Sequence, residues 1–477
     1  MSTAFETHTI HQIPPDQRHG RARDLFAVWF STNLTLLTVV TGALGPGLFG
    51  LSFTWSAIAV VLGNLAGAVF MALHAAQGPM LGVPQMVQSR GQFGFYGAVP
   101  IIGLVVLMYI GFVASNFVVG GQALHAALPI TGRRNAILLI ALLSLVPCCM
   151  GYHTIHAWSK VVSWVAGAII LHCLWLGYEA FPPGTLRDMH GSVAGFFSTF
   201  STAALWQIAY APYVSDSSRY LPADEAGRRT AFFTTYIGTV VGTALSMILG
   251  CMVALHGPGV SVATTLAQLA GQQATPVMIV LSLSIALGNA MSLYGGALSA
   301  ITVLQTFMPD WRSALRERLL VTCTLVAIAL GMALGMADSF MKSYAAFLDL
   351  LMAIMVPWTA INLTDYYLLR RGRYDVASFF AAMAERMAIA TFPPCAPMAS
   401  ASPLKCPSCR TGFIPAAWPV ACLGWTYHGW WGCLLPPPSI SAPQPRAGAS
   451  NGALPAFFQT GSGLFTYVPA PGPQQQA

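Results

Sequence analysis

The chain has 477 residues, of which 55% are apolar and only 8% are charged, and its formal net charge is +7. This composition excludes an ordinary soluble domain, in which about a quarter of the residues are charged. No Asp, Glu, Lys or Arg occurs within residues 25–89, 91–132 or 230–309. A membrane-spanning helix needs about 20 mostly apolar residues, so each run is long enough for more than one span. The sequence therefore predicts an all-α polytopic membrane protein.

The apolar runs predict ten spans, preceded by a polar leader (residues 1–24) and divided into a first five-helix half (25–180) and a second (181–371). The leader has no small-residue cleavage site, so we do not expect a signal peptide. The predicted spans lie near residues 26–48, 53–75, 97–123, 135–152, 160–180, 192–214, 231–255, 276–303, 319–338 and 344–368.

The distribution of Lys and Arg predicts the orientation in the membrane, because cytoplasmic loops carry an excess of these residues. With ten spans both ends of this core lie on one side. A cytoplasmic N-terminus places fourteen basic residues inside and four outside, the outer ones being Arg133, Arg134, Arg187 and Lys342. The sequence therefore predicts a multi-pass protein of the cytoplasmic (inner) membrane with its N-terminus in the cytoplasm. The positive net charge reflects this orientation, and no nucleic-acid partner is expected.

Two predicted spans contain polar interruptions at matching places, the first and the sixth of ten. The first carries "FSTNLTLLTVVTGALG", in which Ser31, Thr32, Asn33 and Thr35 cluster. The sixth carries "WQIAYAPYVSDSSRYLP", beginning at Trp206. Unpaired backbone groups are not tolerated in lipid, so a broken helix must be buried or line a cavity. Such breaks at equivalent places in two halves are typical of the substrate site of a secondary transporter. The alternative is that Ser and Thr bond harmlessly to the preceding turn.

Four separated motifs, in order, resemble those of the nucleobase:cation symporter family, the purine–cytosine permeases. They are "WFSTN" with "TGALG", "GPMLGVPQMVQSRGQFGFYGA", "APYVSDSSRYLP" and "INLTDYYLLRRGRYDV". The resemblance covers roughly residues 23–380. It implies a LeuT-like core of five plus five inverted repeats. It also implies cation-coupled uptake of a nucleobase or related heterocycle, such as cytosine, a purine, uracil, allantoin or hydantoin.

The resemblance also implies where such a solute binds. A planar base needs an aromatic slot and a few amide or hydroxyl partners. In the family the third helix supplies an aromatic residue and an amide four residues later, the sixth an aromatic residue at its break, and the eighth further polar groups. The candidate substrate-binding residues are Asn33, Phe112, Asn116, Trp206, Gln207, Asn289 and Ser292. The family often has asparagine where Ser292 lies, which leaves the hydrogen-bond pattern, and so the substrate, open.

Each of these residues could instead serve helix packing, because Asn, Ser and Gly also hold membrane helices together. A same-fold carrier for another small solute, such as an amino acid or a thiamine-like compound, is the alternative function. A membrane enzyme or a channel would need catalytic His, Asp and Glu clusters or a polar stripe along several helices. The sequence shows neither pattern, and we expect no enzyme activity, metal site, cofactor or obligate protein partner. The expected partners are the small heterocyclic substrate and the lipid bilayer.

The coupling ion is expected to be H⁺, with Na⁺ as the alternative. Sodium-coupled members of the family use two Ser or Thr hydroxyls on the eighth helix, where this chain has Leu287 and Gly288. A proton carrier needs a titratable group at depth, and Asp349 is the carboxylate that lies clearly inside a predicted span, a turn or two from its outer end. An interfacial Asp349 paired with Lys342 is equally compatible with the sequence. Asp216 and Arg219, like Asp365 and Arg370, are expected to anchor a cytoplasmic gate.

The last part of the chain, residues 372–477, does not follow the pattern. It is rich in proline, and the usual helices 11 and 12 of the family are missing from it. Biased sequence of this kind predicts disorder or a partner-binding tail. A third hypothesis is a frameshift near residues 381–383. In another frame, codons compatible with "WTYHGWWGCLL" encode a stretch that resembles the start of a twelfth helix, and the protein would be an impaired, truncated permease.

Overall fold

The computed structural model describes residues 12–18, 20–150, 152–181, 184–308 and 315–380. Most of this part of the chain is helical, and the helices cover all ten predicted spans. The helices are α1 (Ala22–Asn33), α2 (Leu36–Gly47), α3 (Phe53–Ala75), α4 (Gln77–Leu81), α5 (Gln85–Phe93), α6 (Ala98–Ala127), α7 (Arg133–Met150), α8 (Tyr152–Glu179), α9 (Val193–Ile208), α10 (Ala211–Ser218), α11 (Glu225–His256), α12 (Val262–Ala270), α13 (Ala274–Phe307), α14 (Leu315–Met336) and α15 (Phe340–Leu363). The predicted tail and its frameshift lie outside the described residues, except for residues 372–380.

Five helical stretches among the described residues are long and apolar enough to cross a membrane, or six if the bent pair α1–α2 counts as one span. The five are Phe53–Leu81, Ala98–Ala127, Glu225–His256, Val262–Phe307 and Arg316–Leu369. The last is 54 residues long and includes both the ninth and the tenth predicted spans. The total of ten spans and the five-plus-five symmetry remain predictions.

The outer surface of the helices is apolar, as a bilayer requires. Large hydrophobic side chains that point away from the core include Leu142 (57% exposed), Phe233 (57%) and Leu320 (59%). Large apolar side chains exposed on several long helices are expected where the helices face lipid. The buried core consists mainly of Leu, Val, Ala and Met side chains from α2, α3, α6, α11 and α13.

Helices α2 and α11 pack with their backbones in close contact. A Cβ atom on Gly42 would lie 2.0 Å from the carbonyl oxygen of Met247, and one on Gly250 would lie 1.9 Å from that of Val39. Small residues at matching places allow this approach, as is usual between membrane helices. The contact fixes the second half of the first span against α11.

The segment before α1 is held against the turn that follows α4. The amide of Ile13 donates to the carbonyl of Gly82 (3.0 Å), and the Arg18 guanidinium donates to the carbonyls of Ile13 and Pro79. The amide of Gly20 donates to the carbonyl of Tyr220 (2.8 Å), just after α10. The beginning of α1, the α4–α5 turn and the end of α10 therefore lie on one side of the molecule, called here the N-terminal side.

Candidate substrate site

The predicted interruption of the first span is confirmed. Helix α1 ends at Asn33 and α2 begins at Leu36, with a bend of 55° between their axes. The backbone groups released by the break find partners: the carbonyl of Asn33 accepts from the Ser246 hydroxyl (2.9 Å), and the Thr35 hydroxyl caps α2 by accepting from the Thr38 amide (3.4 Å). The break is buried in protein, which is the condition for irregular backbone at membrane depth.

The sixth span is also interrupted, as predicted. Helix α9 ends at Ile208 and α10 begins at Ala211, with Pro212 in its first turn, where the missing N–H costs least. The two breaks are joined directly, because the indole N–H of Trp206 donates to the side-chain oxygen of Asn33 (2.9 Å). Asn33 is fully buried and also donates to the Thr239 hydroxyl (3.0 Å) of α11.

An aromatic pair lies beside the junction of the breaks. The ring of Phe112 on α6 meets that of Trp206 edge to face, with centroids 5.8 Å apart, and also meets that of Phe347 on α15 at 5.3 Å. Between residues 110 and 121 of α6, Phe112 and Asn116 alone are not buried. Their spacing of four residues puts them on one helix face, so this face borders the space between the helices.

Two asparagines extend the aromatic pair with hydrogen-bonding groups. The amide nitrogen of Asn116 donates to the side-chain oxygen of Asn289 on α13 (2.9 Å). Asn289 is fully buried, and its own amide nitrogen reaches the Ser144 hydroxyl at 3.5 Å. Each amide carries both donors and an acceptor, as does the edge of a nucleobase. The pair can therefore exchange its mutual bond for bonds to a heterocycle.

Ser292 lies one turn beyond Asn289 and does not join the asparagine pair. It borders a narrow gap, without room for a water molecule, whose other lining residues are Tyr109, Ile110, Val113, Leu293, Gly296 and Leu325. Gln207 is adjacent to Trp206 in sequence but points elsewhere: its amide donates to Asn64 (2.7 Å) and Thr243 (3.1 Å). Both residues remain predictions as substrate contacts, and the geometry favours Trp206 over Gln207 for the face beside Phe112.

The predicted gate residues lie on the N-terminal side. Asp216 is exposed, and its carboxylate accepts from the backbone amide of Gln85 (2.9 Å) at the start of α5. Arg219 is buried, with its guanidinium 5.3 Å from the centre of the Tyr220 ring. The Ser215 hydroxyl bonds to the side chain of Gln85 (2.5 Å). The end of α10 is thus fixed to the α4–α5 turn.

A chain of polar side chains, called here the gate network, joins this turn to the end of α15. Gln77 donates to Asn362 (2.9 Å), and Asn362 donates to Gln92 (3.3 Å). Gln92 in turn donates to the Tyr374 hydroxyl (3.1 Å).

Asp365 is the last member of the gate network. Its buried carboxylate accepts from the Tyr374 hydroxyl and pairs with the Arg370 guanidinium (3.2 Å). The segment after α15 also packs here, with Phe379 buried and its carbonyl accepting from Arg90 (3.3 Å).

Asp349, the predicted proton carrier, is not brought to this site. Its side chain is exposed on α15, whose buried face is formed by Tyr344, Leu348 and Leu351. Within residues 315–380 no hydrogen bond or ion pair joins Asp349 to Lys342. A coupling role for Asp349 remains a prediction.

Four aromatic residues near the site were not among the predicted contacts. They are Trp29, Tyr109, Tyr210 and Tyr213, whose rings pack against one another at centroid distances of 5.5–6.3 Å. A signal was present in the sequence, since Trp206, Tyr210 and Tyr213 have the i, i+4, i+7 spacing of one helix face.

Comparison with known proteins covers most of the chain but not its last part. A sequence model of the family described as "Permease for cytosine/purines, uracil, thiamine, allantoin" matches residues 12–385. The chain belongs to this permease family. It is 37% identical over 379 residues to a Bacillus subtilis protein provisionally named purine-cytosine permease YxlA, covering 79% of this chain and 82% of that one. It is 26% identical to the purine-cytosine permease fcyB of Emericella nidulans, covering 77% and 74% of the two chains.

Among solved structures, this permease is similar to Mhp1, a nucleobase-cation-symport-1 family transporter, in a closed conformation with bromovinylhydantoin bound. The TM-score is 0.63 at 18% sequence identity, covering 79% of this chain and 84% of that one. At this identity the likeness establishes the fold and not the substrate. The predicted family is thus confirmed, and the protein is a membrane permease.

Proposed function

We propose that the permease imports a nucleobase or related flat heterocycle by alternating access, as a cation-coupled secondary transporter. The observation that carries the proposal is the arrangement at the two helix breaks. An aromatic pair, Phe112 and Trp206, lies next to an amide pair, Asn116 and Asn289. A planar ring with polar edges fits such a site, because the rings bind its faces and the amides bind its edge.

The likeness to permeases named for purines and cytosine supports this class of substrate. The preferred members of the class are cytosine, a purine, uracil, allantoin and hydantoin. The proposed coupling ion is H⁺, because Leu287 and Gly288 lack the hydroxyls that sodium-coupled members use. The proposed location is the cytoplasmic (inner) membrane. The distribution of Lys and Arg favours an orientation in which the N-terminal side faces the cytoplasm.

Uptake of radiolabelled cytosine into cells that express the chain tests the proposal. Unlabelled cytosine, adenine, uracil, allantoin and hydantoin are added in turn as competitors, and the uptake is repeated with a protonophore and in sodium-free buffer. The expected result is saturable uptake that at least one competitor blocks, that the protonophore abolishes and that sodium removal leaves unchanged. Uptake that no competitor reduces would contradict the substrate class, and loss of uptake without sodium would contradict the proposed ion.

A further inference from the structure

Beside the candidate site, on its N-terminal side, lies an inner aromatic cluster formed by Trp29, Tyr109, Tyr210 and Tyr213. Trp29 is on α1, one turn before the break at Asn33, and its ring packs against those of Tyr210 (5.5 Å) and Tyr213 (6.3 Å). Tyr213 also meets Tyr109 of α6 at 5.6 Å. The cluster therefore joins the two broken spans to α6, as the candidate site does.

The cluster and the candidate site are in direct contact. The ring of Trp206, which belongs to the candidate site, lies 6.0 Å from that of Tyr210. Trp29 precedes the break in the first span, Tyr210 lies at the break in the sixth span, and Tyr213 follows that break. All three therefore belong to the parts of the spans that lead to the N-terminal side. A solute leaving the candidate site towards that side would meet this cluster first.

Trp29 carries a polar group that the described part of the chain does not satisfy. Its side chain is 3% exposed, and its indole N–H has no hydrogen-bond partner among the described residues. Trp206 provides the contrast, since its indole N–H donates to Asn33 at 2.9 Å. Buried indole N–H groups normally have a partner, because leaving one unsatisfied retains the full cost of removing it from water.

We infer that Trp29 is a substrate-recognition residue and that the inner aromatic cluster is a second binding site for the transported heterocycle. The indole N–H would donate to a carbonyl oxygen or an unprotonated ring nitrogen of the solute, while the tyrosine rings bind its faces. Nucleobases and hydantoins all carry such acceptors. The inference rests on the proposed function and adds to it a site on the N-terminal side of the helix breaks.

The Trp29→Phe variant tests the inference, because it keeps an aromatic ring and removes the N–H. Radiolabelled cytosine, or the strongest of the five competitors, is transported in right-side-out and inside-out vesicles. The expected result is a half-saturating concentration about tenfold higher for transport from the N-terminal face, because the variant loses one hydrogen bond to a desolvated ligand. From the opposite face the change should be less than about twofold, since the candidate site itself is intact.

Trp206→Phe is the matched control for stability, because the indole N–H of Trp206 is satisfied within the protein. It removes a satisfied bond and leaves the Asn33 oxygen buried without that donor, so its thermal unfolding temperature in detergent should fall. The unfolding temperature of Trp29→Phe should not fall, because no bond within the protein is lost.

Three results would overturn the inference: transport constants of Trp29→Phe equal to wild type on both faces, an equal rise on both faces, or a loss of stability or insertion. If the wild-type protein transports none of the five heterocycles, the proposed function itself fails. Normal wild-type transport with an unaffected Trp29→Phe variant removes the second site alone.

Discussion

The gate network and the candidate substrate site are both polar regions within a largely apolar protein, but they are built differently. The gate network is a continuous series of side-chain hydrogen bonds that ends in the buried Asp365–Arg370 ion pair. The candidate site has aromatic edges and one amide pair, and two of its members, Phe112 and Asn116, are only partly buried. The first arrangement fixes helices to one another, and the second leaves groups that can change partners.

The longer family motifs belong mainly to the first of these two regions. The stretches Gly78–Ala98 and Ile361–Val376, on which the resemblance largely rests, contribute to the gate network and the turn around it. The residues beside the helix breaks come from shorter motifs. The resemblance is therefore stronger for the hydrogen-bonded region on the N-terminal side than for the residues beside the helix breaks.

The largest effect is expected from substitutions in the asparagine pair of the candidate site. Asn289→Ala and Asn116→Ala should each lower uptake at least about 100-fold, because each removes a partner that a polar solute needs in a desolvated site. Membrane insertion should be unchanged. Thr302→Ala is the control, since this hydroxyl on the same helix as Asn289 bonds to the carbonyl of Leu298 in its own turn. Normal uptake by both asparagine variants would refute the site.

A smaller effect is expected from the gate network. Asp365→Asn keeps the shape of the side chain but removes the charge that faces Arg370, and should reduce stability by about 1–2 kcal/mol. This is less than for a fully buried pair, because the Arg370 side chain is 36% exposed. The unfolding temperature in detergent and the maximal uptake rate should fall while the half-saturating concentration stays the same.

Asp375→Asn is the matched control for Asp365→Asn. Its carboxylate is exposed and accepts from the amide of Ala377 in its own turn, so stability and uptake should stay at wild-type values. A changed competitor ranking in Asp365→Asn would mean that the gate network contacts the solute, and the distinction between the two regions would fail.

The smallest effect is expected in the loop between α8 and α9, away from both regions. Hydrogen bonds from His190 lower the pKa of Asp188. A carboxyl whose pKa is depressed in the folded state contributes stability above its ordinary pKa, and this is lost as the pH falls through the folded-state pKa. Both side chains are exposed, so His190→Ala should change the unfolding temperature at pH 7 by less than about one degree, with no difference in strong acid. A larger change would show a structural role for this loop.

The helix breaks could be predicted because their cause is local. Polar residues around Asn33 and the proline at 212 interrupt otherwise apolar runs, and both breaks occur there. The short helices α4 and α5 were not predicted. They lie in a stretch where Arg90 is the single charged residue between positions 25 and 132, and their ends at Gly82 and Gly94 depend on positive φ angles of 71° and 77° that hydropathy does not reveal.

The directions of individual side chains could not be predicted. Trp206 and Gln207 are neighbours in sequence, yet one faces Phe112 and the other faces Asn64 and Thr243. Adjacent helical residues point about 100° apart, so the rotation of α9 decides which of them borders the site. That rotation is set by tertiary packing, as is the proximity of Trp29 to Tyr210.

The most direct test of the central claim is a structure of the permease with its strongest competitor bound, determined by electron cryomicroscopy in lipid. The account predicts planar density between Phe112 and Trp206, with the bond between Asn116 and Asn289 replaced by bonds to the ligand and the break at Asn33 retained. Ligand density away from the helix breaks, with the two asparagines still paired, would contradict it.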